Sequence, residues 1–223
     1  MTITIYEKQT TITFKSNHLF CIINRMKRAF DVLFSLFMIT TFIPVFLIIS
    51  LIIKCDSPGP IFFYQFRVGK NHKPFLCYKF RTMCLDAESI GKVLAKEEKY
   101  KKQWSLNQKL PDDPRVTRFG YFLRRFALDE LPQFWNVLKG DLSVVGPRPI
   151  LDEQIRQYKE DVAKKILEVR PGITGLWQIS GLSHLGYEER AQIEKVYVEK
   201  KSFLFDLTLI LKTIPAVLFF KKD

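Results

Sequence analysis

A chain of 223 residues with 35 Lys and Arg against 23 Asp and Glu, a formal net charge of +12, has room for one sizeable domain, or for one domain and an anchor. So basic a balance points to anionic partners, whether nucleic acid, an acidic membrane face or phosphorylated substrates, without choosing among them. Cys21, Cys55, Cys77 and Cys84 form no CxxC pair and have no histidine at zinc-ligand spacing, which argues against a zinc module and reads as reduced, structural thiols in a cytosolic setting.

The first residues, "MTITIYEKQTTITFK", alternate weakly, like a short strand. Residues 1–25 read as an extension of unknown role, and Met26 is an alternative start because "MKRAFDVLF" leads straight into an apolar segment. From Val32 to Ile53 the chain is uncharged over the length of a membrane helix. The run is too long and too late for a signal peptide, and no small-residue cleavage site follows it.

Two features argue against a plain crossing. Pro44 lies near the middle of the run, where it removes a helical hydrogen bond and bends the axis. Arg25, Lys27 and Arg28 flank one end, and Lys54, Arg67, Lys70 and Lys73 the other, so the positive-inside tendency gives no direction. The expectation is an anchor over residues 26–54 that enters one leaflet, breaks at Pro44 and returns to the same face. The competing reading is an ordinary spanning helix kinked by its proline.

Residues 55–223 read as the body. Two short strands, about Ile61 to Arg67 and Phe75 to Arg81, are joined through the Gly-Lys-Asn-His turn, with Arg67, Lys79 and Arg81 left on the rim. The lysine-rich stretch from Asp86 to Leu106 is expected to be an exposed helix or loop. Thr117 caps a helix through Arg124, and Leu131, Phe134, Trp135 and Leu138 recur at helical spacing in a second helix that ends at Gly140. Pro132 suits its first turn, so Asp129 and Glu130 fall at a helix N-terminus, where capping alone would explain ionised carboxylates. The closing "FLFDLTLILKTIPAVLFFKKD" is interrupted by Asp206, Lys212 and Pro215 and reads as a helix lying in the membrane interface.

"DPRVTRFGYFLRR", "LDELPQFWNVLKGDLSVVGPRP", "RPGITGLWQISG" and "SFLFDLTLILKT" together resemble the bacterial sugar transferase family, the monotopic polyprenyl-phosphate phosphoglycosyl transferases, from Met26 to the C-terminus. The resemblance implies a bacterial inner-membrane enzyme with its catalytic domain facing the cytoplasm. Such an enzyme moves a sugar-1-phosphate from a UDP-sugar to undecaprenyl phosphate and releases UMP, the first membrane step of surface glycan synthesis. It implies Asp129 as nucleophile, Glu130 as its metal-handling neighbour with Mg²⁺, and Arg124, Arg148, Arg170, Lys79 and Arg81 as phosphate contacts. Asp141 and Asp206 match family positions in a supporting capacity. Tyr187 and Arg190 are candidates for sugar selection in a hexose-1-phosphate branch, while the sugar itself, the oligomeric state and the glycan pathway stay open. The chain departs from the family at Ile43-Pro44, where Ser-Pro is usual, and at Phe126-Ala127, where small hydroxyl residues are common.

The chemistry is coherent. An ionised carboxylate attacks phosphorus without a general base, and cations must offset the repulsion between two anions, which bidentate arginine does better than lysine. Basic residues also hold the protein to anionic lipids. The fold expected is α/β, mostly helical and monotopic, with a re-entrant helix, interfacial helices and small β elements around the site. A catalytically silent, membrane-anchored scaffold is the alternative; no nucleic-acid motif or P-loop is present.

Overall fold

The structure, a computed structural model, describes residues 2–97, 113–181 and 186–219, with side chains from Ile22 onward. Most of the lysine-rich stretch after Glu97, and the loop preceding Gly186, lie outside the described residues.

Helix α1 runs from Thr2 to Asp56 and includes Pro44. The N-terminal strand expectation is therefore corrected: an unpaired strand would leave its backbone groups unmet, whereas a helix satisfies its own. The expected break into two helices is also not seen, because the helix continues through Pro44. The ladder is nonetheless weakened at this locus. Pro44 has no N–H for the Thr40 carbonyl, and Thr40 Oγ1 donates to the Leu36 and Phe37 carbonyls at 2.9 and 3.0 Å, a back-bonding pattern that bends helices.

Helix α1 is two-faced along the apolar run. Leu33, Leu36, Phe37, Ile43, Leu47, Ile48 and Leu51 form an exposed stripe at helical spacing. Asp31, Ser35, Ile49 and Ile53 on the other face are buried against the body.

Strands β1 (Phe62–Val68) and β2 (Pro74–Phe80) form an antiparallel hairpin. Its register places Phe63 opposite Lys79, Gln65 opposite Cys77 and Arg67 opposite Phe75, so one face carries Arg67, Cys77 and Lys79 together. The other face carries Phe62, Tyr64 and Phe66, which are exposed. Helix α2 (Ala87–Leu94) follows.

Helix α3 (Arg118–Arg125) starts where predicted, with Thr117 Oγ1 accepting from the Gly120 N–H at 3.0 Å. Gly120 lies so close to β2's continuation that an added Cβ would sit 2.1 Å from the Thr82 carbonyl oxygen. A 3-10 turn, Leu128–Glu130, leads into helix α4 (Gln133–Lys139), closed by Gly140 at φ 92° as a left-handed C-terminal glycine should. The predicted face needs one correction. Trp135 is exposed, while Gln133, Asn136 and Val137 are buried, because α4 packs on both α1 and the hairpin.

Strands β3 (Ser143–Val145) and β4 (Gly172–Thr174) form a parallel pair. Gly146 and Gly172 permit their approach: a Cβ on Gly172 would lie 2.0 Å from the Gly146 nitrogen. Between them run α5 (Asp152–Ile155) and α6 (Glu160–Ile166). Helices α7 (Leu176–Ile179), α8 (Tyr187–Lys200) and α9 (Phe203–Phe219) complete the chain.

Among the described residues three clusters make the core. One joins β2, α4, β3, α8 and α9 through Cys77, Val137, Val144, Tyr197 and Leu209. Another holds α5, α6 and α8 together around Ile155, Val162 and Ala191. The third fixes the end of α1 to the hairpin and α3 through Ile49, Ile53, Phe80 and Leu123.

Candidate active site

Leu128 and Leu131 pack on the cluster of Ile53, Phe80 and Leu123, so the acidic turn is clamped by apolar residues on both sides. Ala127 enters it at φ 53°, in the left-handed region that costs a residue with a Cβ roughly 1 kcal/mol. The chain reverses there and sets the acidic turn against β2, with Glu130 lining a cleft and Asp129 buried outside that lining. The carboxylates thus precede α4 in their own 3-10 turn rather than capping the helix directly. Asp129 is 8% exposed, a degree of burial unusual for a carboxylate unless it is paired.

Lys79 supplies the pairing. Its Nζ donates to Glu130 Oε1 at 2.9 Å and lies 3.8 Å from Asp129 Oδ2. Arg148, in the loop after β3, brings Nη1 to 3.8 Å from the same Glu130 oxygen. Lys79, Glu130 and Arg148 line one cleft with Arg67, Cys77, Gln133, Pro149 and Ile173. Arg124, whose Nε donates to Thr82 Oγ1 at 2.9 Å, is close enough for the Asp129 charge to oppose the lowering of its pKa by burial.

The register of this cleft is set from behind by Asn136, which is fully buried. Its Oδ1 accepts from the Tyr78 N–H at 3.0 Å, and its Nδ2 donates to the Leu76 carbonyl at 2.6 Å and to Asp141 Oδ2 at 3.1 Å. One amide therefore ties the helix after the dyad to the strand that carries Lys79. Glu194 holds the other wall: its Oε1 accepts from the Arg148 backbone N–H at 2.9 Å. Burial raises the Glu194 pKa to about 7, and burial also raises that of the Cys77 thiol.

Several residues singled out in the sequence lie elsewhere. Arg81 is buried away from the cleft lining. Its guanidinium donates to the Pro58 and Ser57 carbonyls at 2.7 Å each and to Ser57 Oγ at 2.9 Å, so it fastens the end of α1 rather than facing a phosphate. Arg170 donates from Nε to the Gly140 carbonyl at 2.7 Å, at the far end of α4. Asp141 joins Lys139 at 3.3 Å and the Asn136 amide. Asp206 is buried, pairs with Lys27 at 2.9 Å and accepts from Tyr197 OH at 2.9 Å; it anchors α9 to α1. Burial raises its pKa, against the pull of Lys27. Tyr187 OH accepts from Gln154 Nε2 at 3.3 Å, outside the cleft lining. Arg190 stacks over Trp177 at 5.5 Å, with Nε and Nη2 buried and without partners.

Asn136, Gln133 and Glu194 were missed. Asn136 had a signal, a polar residue between Trp135 and Val137 on an apolar helix, whereas Glu194 looks like any charge on an exposed helix.

A cleft lined by Glu130, Lys79 and Arg148, with Asp129 buried 3.8 Å from the same lysine and a long apolar helix in the same chain, matches the family resemblance, and comparison decides it. Residues 22–220 match the model of the bacterial sugar transferase family. The chain belongs to that family. It is accordingly an enzyme, a phosphoglycosyl transferase. It is 41% identical over 192 residues to the exopolysaccharide production protein ExoY of Sinorhizobium fredii, covering 86% of this chain and 84% of that one. It is 38% identical to the undecaprenyl-phosphate galactose phosphotransferase of Salmonella typhimurium, over 86% of this chain and 40% of the relative. The UDP-N-acetylgalactosamine-undecaprenyl-phosphate N-acetylgalactosaminephosphotransferase of Aeromonas hydrophila is 37% identical, over 86% and 44%. The chain thus spans most of ExoY and less than half of the longer transferases.

Proposed function

We propose that this family member transfers a sugar-1-phosphate from a UDP-sugar to undecaprenyl phosphate through a covalent intermediate on Asp129. The supporting observation is the buried Asp129–Glu130 turn, with Lys79 2.9 Å from Glu130 and 3.8 Å from Asp129. Asp129 Oδ forms a bond to the sugar-bearing phosphorus. The bond from that phosphorus to the bridging oxygen breaks, and its electron pair leaves with UMP. An oxygen of undecaprenyl phosphate then attacks the same phosphorus and returns Asp129 as a carboxylate, leaving a polyprenyl-diphosphate sugar. Lys79 and Arg148 offset the charge on both anionic substrates.

The donor set also fits Mg²⁺. Among the described residues no group of three or more potential ligands gathers, and this ion characteristically takes one or two carboxylates, here Asp129 and Glu130, and completes its shell with waters and substrate phosphates. When bound it would neutralise developing phosphate charge.

Seating follows from α1. Its buried face rests on the body near both ends of the apolar run, at Asp31 and at Ile53, while its other face is an exposed apolar stripe. We read this as insertion from one side, in a single leaflet, with the cleft at the cytoplasmic surface of the inner membrane and the basic residues against anionic lipid. A hexose donor is favoured by the galactose-named relative, although the N-acetylgalactosamine-named one matches almost as well.

The test is UMP release from a panel of UDP-sugars by detergent-solubilised protein with undecaprenyl phosphate and Mg²⁺. Asp129→Asn should lower turnover on the order of 10³-fold or more and abolish a radiolabelled phosphosugar adduct trapped on the protein. Turnover that survives in Asp129→Asn would exclude the covalent route.

A further inference from the structure

The hairpin delivers to the cleft a second cation that the preceding mechanism does not use. Arg67 lines it together with Lys79, Glu130 and Arg148, on the strand face that also carries Lys79. The guanidinium is not idle surface charge. Its Nη2 donates to Gln65 Oε1 at 2.8 Å, two residues back on the same face, which fixes its direction. That partner is a neutral amide, and no carboxylate lies within ion-pair distance of Arg67 among the described residues.

Its surroundings are repulsive. Burial and then Arg148, with a smaller push from Arg190, lower the Arg67 pKa to about 10, against opposing pulls from Cys77 and Glu130. A half-buried arginine held rigidly among other arginines is poorly solvated and poorly paired, and an anion with several acceptor oxygens relieves both defects. Arg148 is under-used as well, because its Nη1 contact with Glu130, at 3.8 Å, is longer than a hydrogen bond.

We infer that Arg67 and Arg148 form a second phosphate subsite in the same cleft lining, which holds the phosphate that stays with the leaving nucleotide. This rests on the reading of the protein as a UDP-sugar transferase. Lys79 and the Asp129–Glu130 turn receive the sugar-bearing phosphate. Arg67 and Arg148 meet the negative charge that grows on the bridging oxygen as the P–O bond breaks. Arginine suits the task because its fork holds two oxygens of one phosphate at once.

Binding to the detergent-solubilised full chain, measured by calorimetry with UMP, uridine and inorganic pyrophosphate, tests the subsite without turnover. In the wild type UMP should bind more tightly than uridine. Arg67→Gln should weaken UMP and pyrophosphate about tenfold or more and leave uridine unchanged, and Arg67→Lys should recover part of the loss. Circular dichroism and melting of each variant establish folding, and should Arg67→Gln fail to fold, the loss in Arg67→Lys carries the comparison. UMP and pyrophosphate affinities unchanged in the folded variants would overturn the subsite while leaving the transferase reading intact. Pyrophosphate binding that depends on Arg67, in a protein that ignores UMP, would instead overturn the uridine donor and keep Arg67 as an anion-binding residue.

Discussion

Glu194 is a carboxyl group whose environment decides its charge near neutral pH. It is 2% exposed, one oxygen accepts from the Arg148 N–H, and the other has no partner. Burial raises its pKa to about 7 from an ordinary 4.5, against the backbone bond and the charges of Arg190 and Arg148. The sign follows from linkage. Below about pH 4.5 the group is protonated whether the chain is folded or not. Between there and about 7 the folded state holds a proton that the unfolded state has released, so the stability contribution declines as pH rises and is gone above the folded pKa. The full span is on the order of 3 kcal/mol. Glu194→Gln keeps an acceptor for Arg148 and cannot ionise. Urea unfolding at pH 5 and pH 8 should therefore show the wild type losing more stability over that interval than the variant. Equal losses would mean that Glu194 ionises normally. Nothing in "IEKVYVEKK" separates this glutamate from its solvated neighbours. Asp129 and Glu130 could be picked out because they stand between apolar residues and arginines, a pattern confined to one short stretch.

Helix α4 shows what an element owes to distant parts of the chain. It spans only Gln133–Lys139, too short to persist alone, and the carbonyls of its last turn need partners. Gly140 closes it through its own N–H to Asn136 and Val137. Arg28, far back in α1, donates to the Val137 and Leu138 carbonyls at 2.7 and 3.0 Å. A cation there also meets the negative end of the helix dipole. Arg28→Ala should cost about 1–3 kcal/mol, read as a lowered melting temperature in detergent, with Arg28→Lys recovering only part because an ammonium lacks the fork. Unchanged melting in Arg28→Ala would show that packing alone docks the two helices. The ends of α3 and α4 could be read from Thr117 and Gly140 because caps act within a few residues. The hairpin was equally legible from its turn and aromatic strands. The Arg28 bonds, and that of Asp31 Oδ2 with Ser143 Oγ at 2.8 Å, join positions over a hundred residues apart, and local pattern holds no record of them. Arg81 was misplaced for the same reason: its partners, Ser57 and Pro58, are distant in sequence.

For the molecule as a whole, the decisive relation is between α1, α9 and the body. Lys27 bridges Asp31 and Asp206 at 3.1 and 2.9 Å, and Phe30 meets the Phe203 ring edge-on at 5.3 Å. The two apolar helices are thereby joined at the head of the membrane run. Leu204, Leu211, Ile214 and Leu218 extend α9's own exposed stripe. At 1.5 Å per residue the stretch from Asp31 to Ile53 would measure about 33 Å if straight, enough to cross the hydrocarbon core. A crossing, however, would put Asp31 and Ile53 at opposite surfaces, and both are buried against the same polar body, whose irregular backbone cannot sit in lipid. The proposed seating in one leaflet removes the conflict, and the weakened locus at Thr40 and Pro44 in the continuous helix is where its axis would turn back. Thiol labelling decides it. Cys55 is exposed at the C-terminal end of the run, and Asn24 is exposed at the other. With the remaining cysteines changed to serine, Cys55 alone and Asn24→Cys alone are each challenged with a membrane-impermeant maleimide. In inverted inner-membrane vesicles both should react, and in intact spheroplasts neither should. Labelling of Asn24→Cys from outside, with Cys55 reactive only from within, would make α1 a spanning helix and overturn the single-leaflet seating.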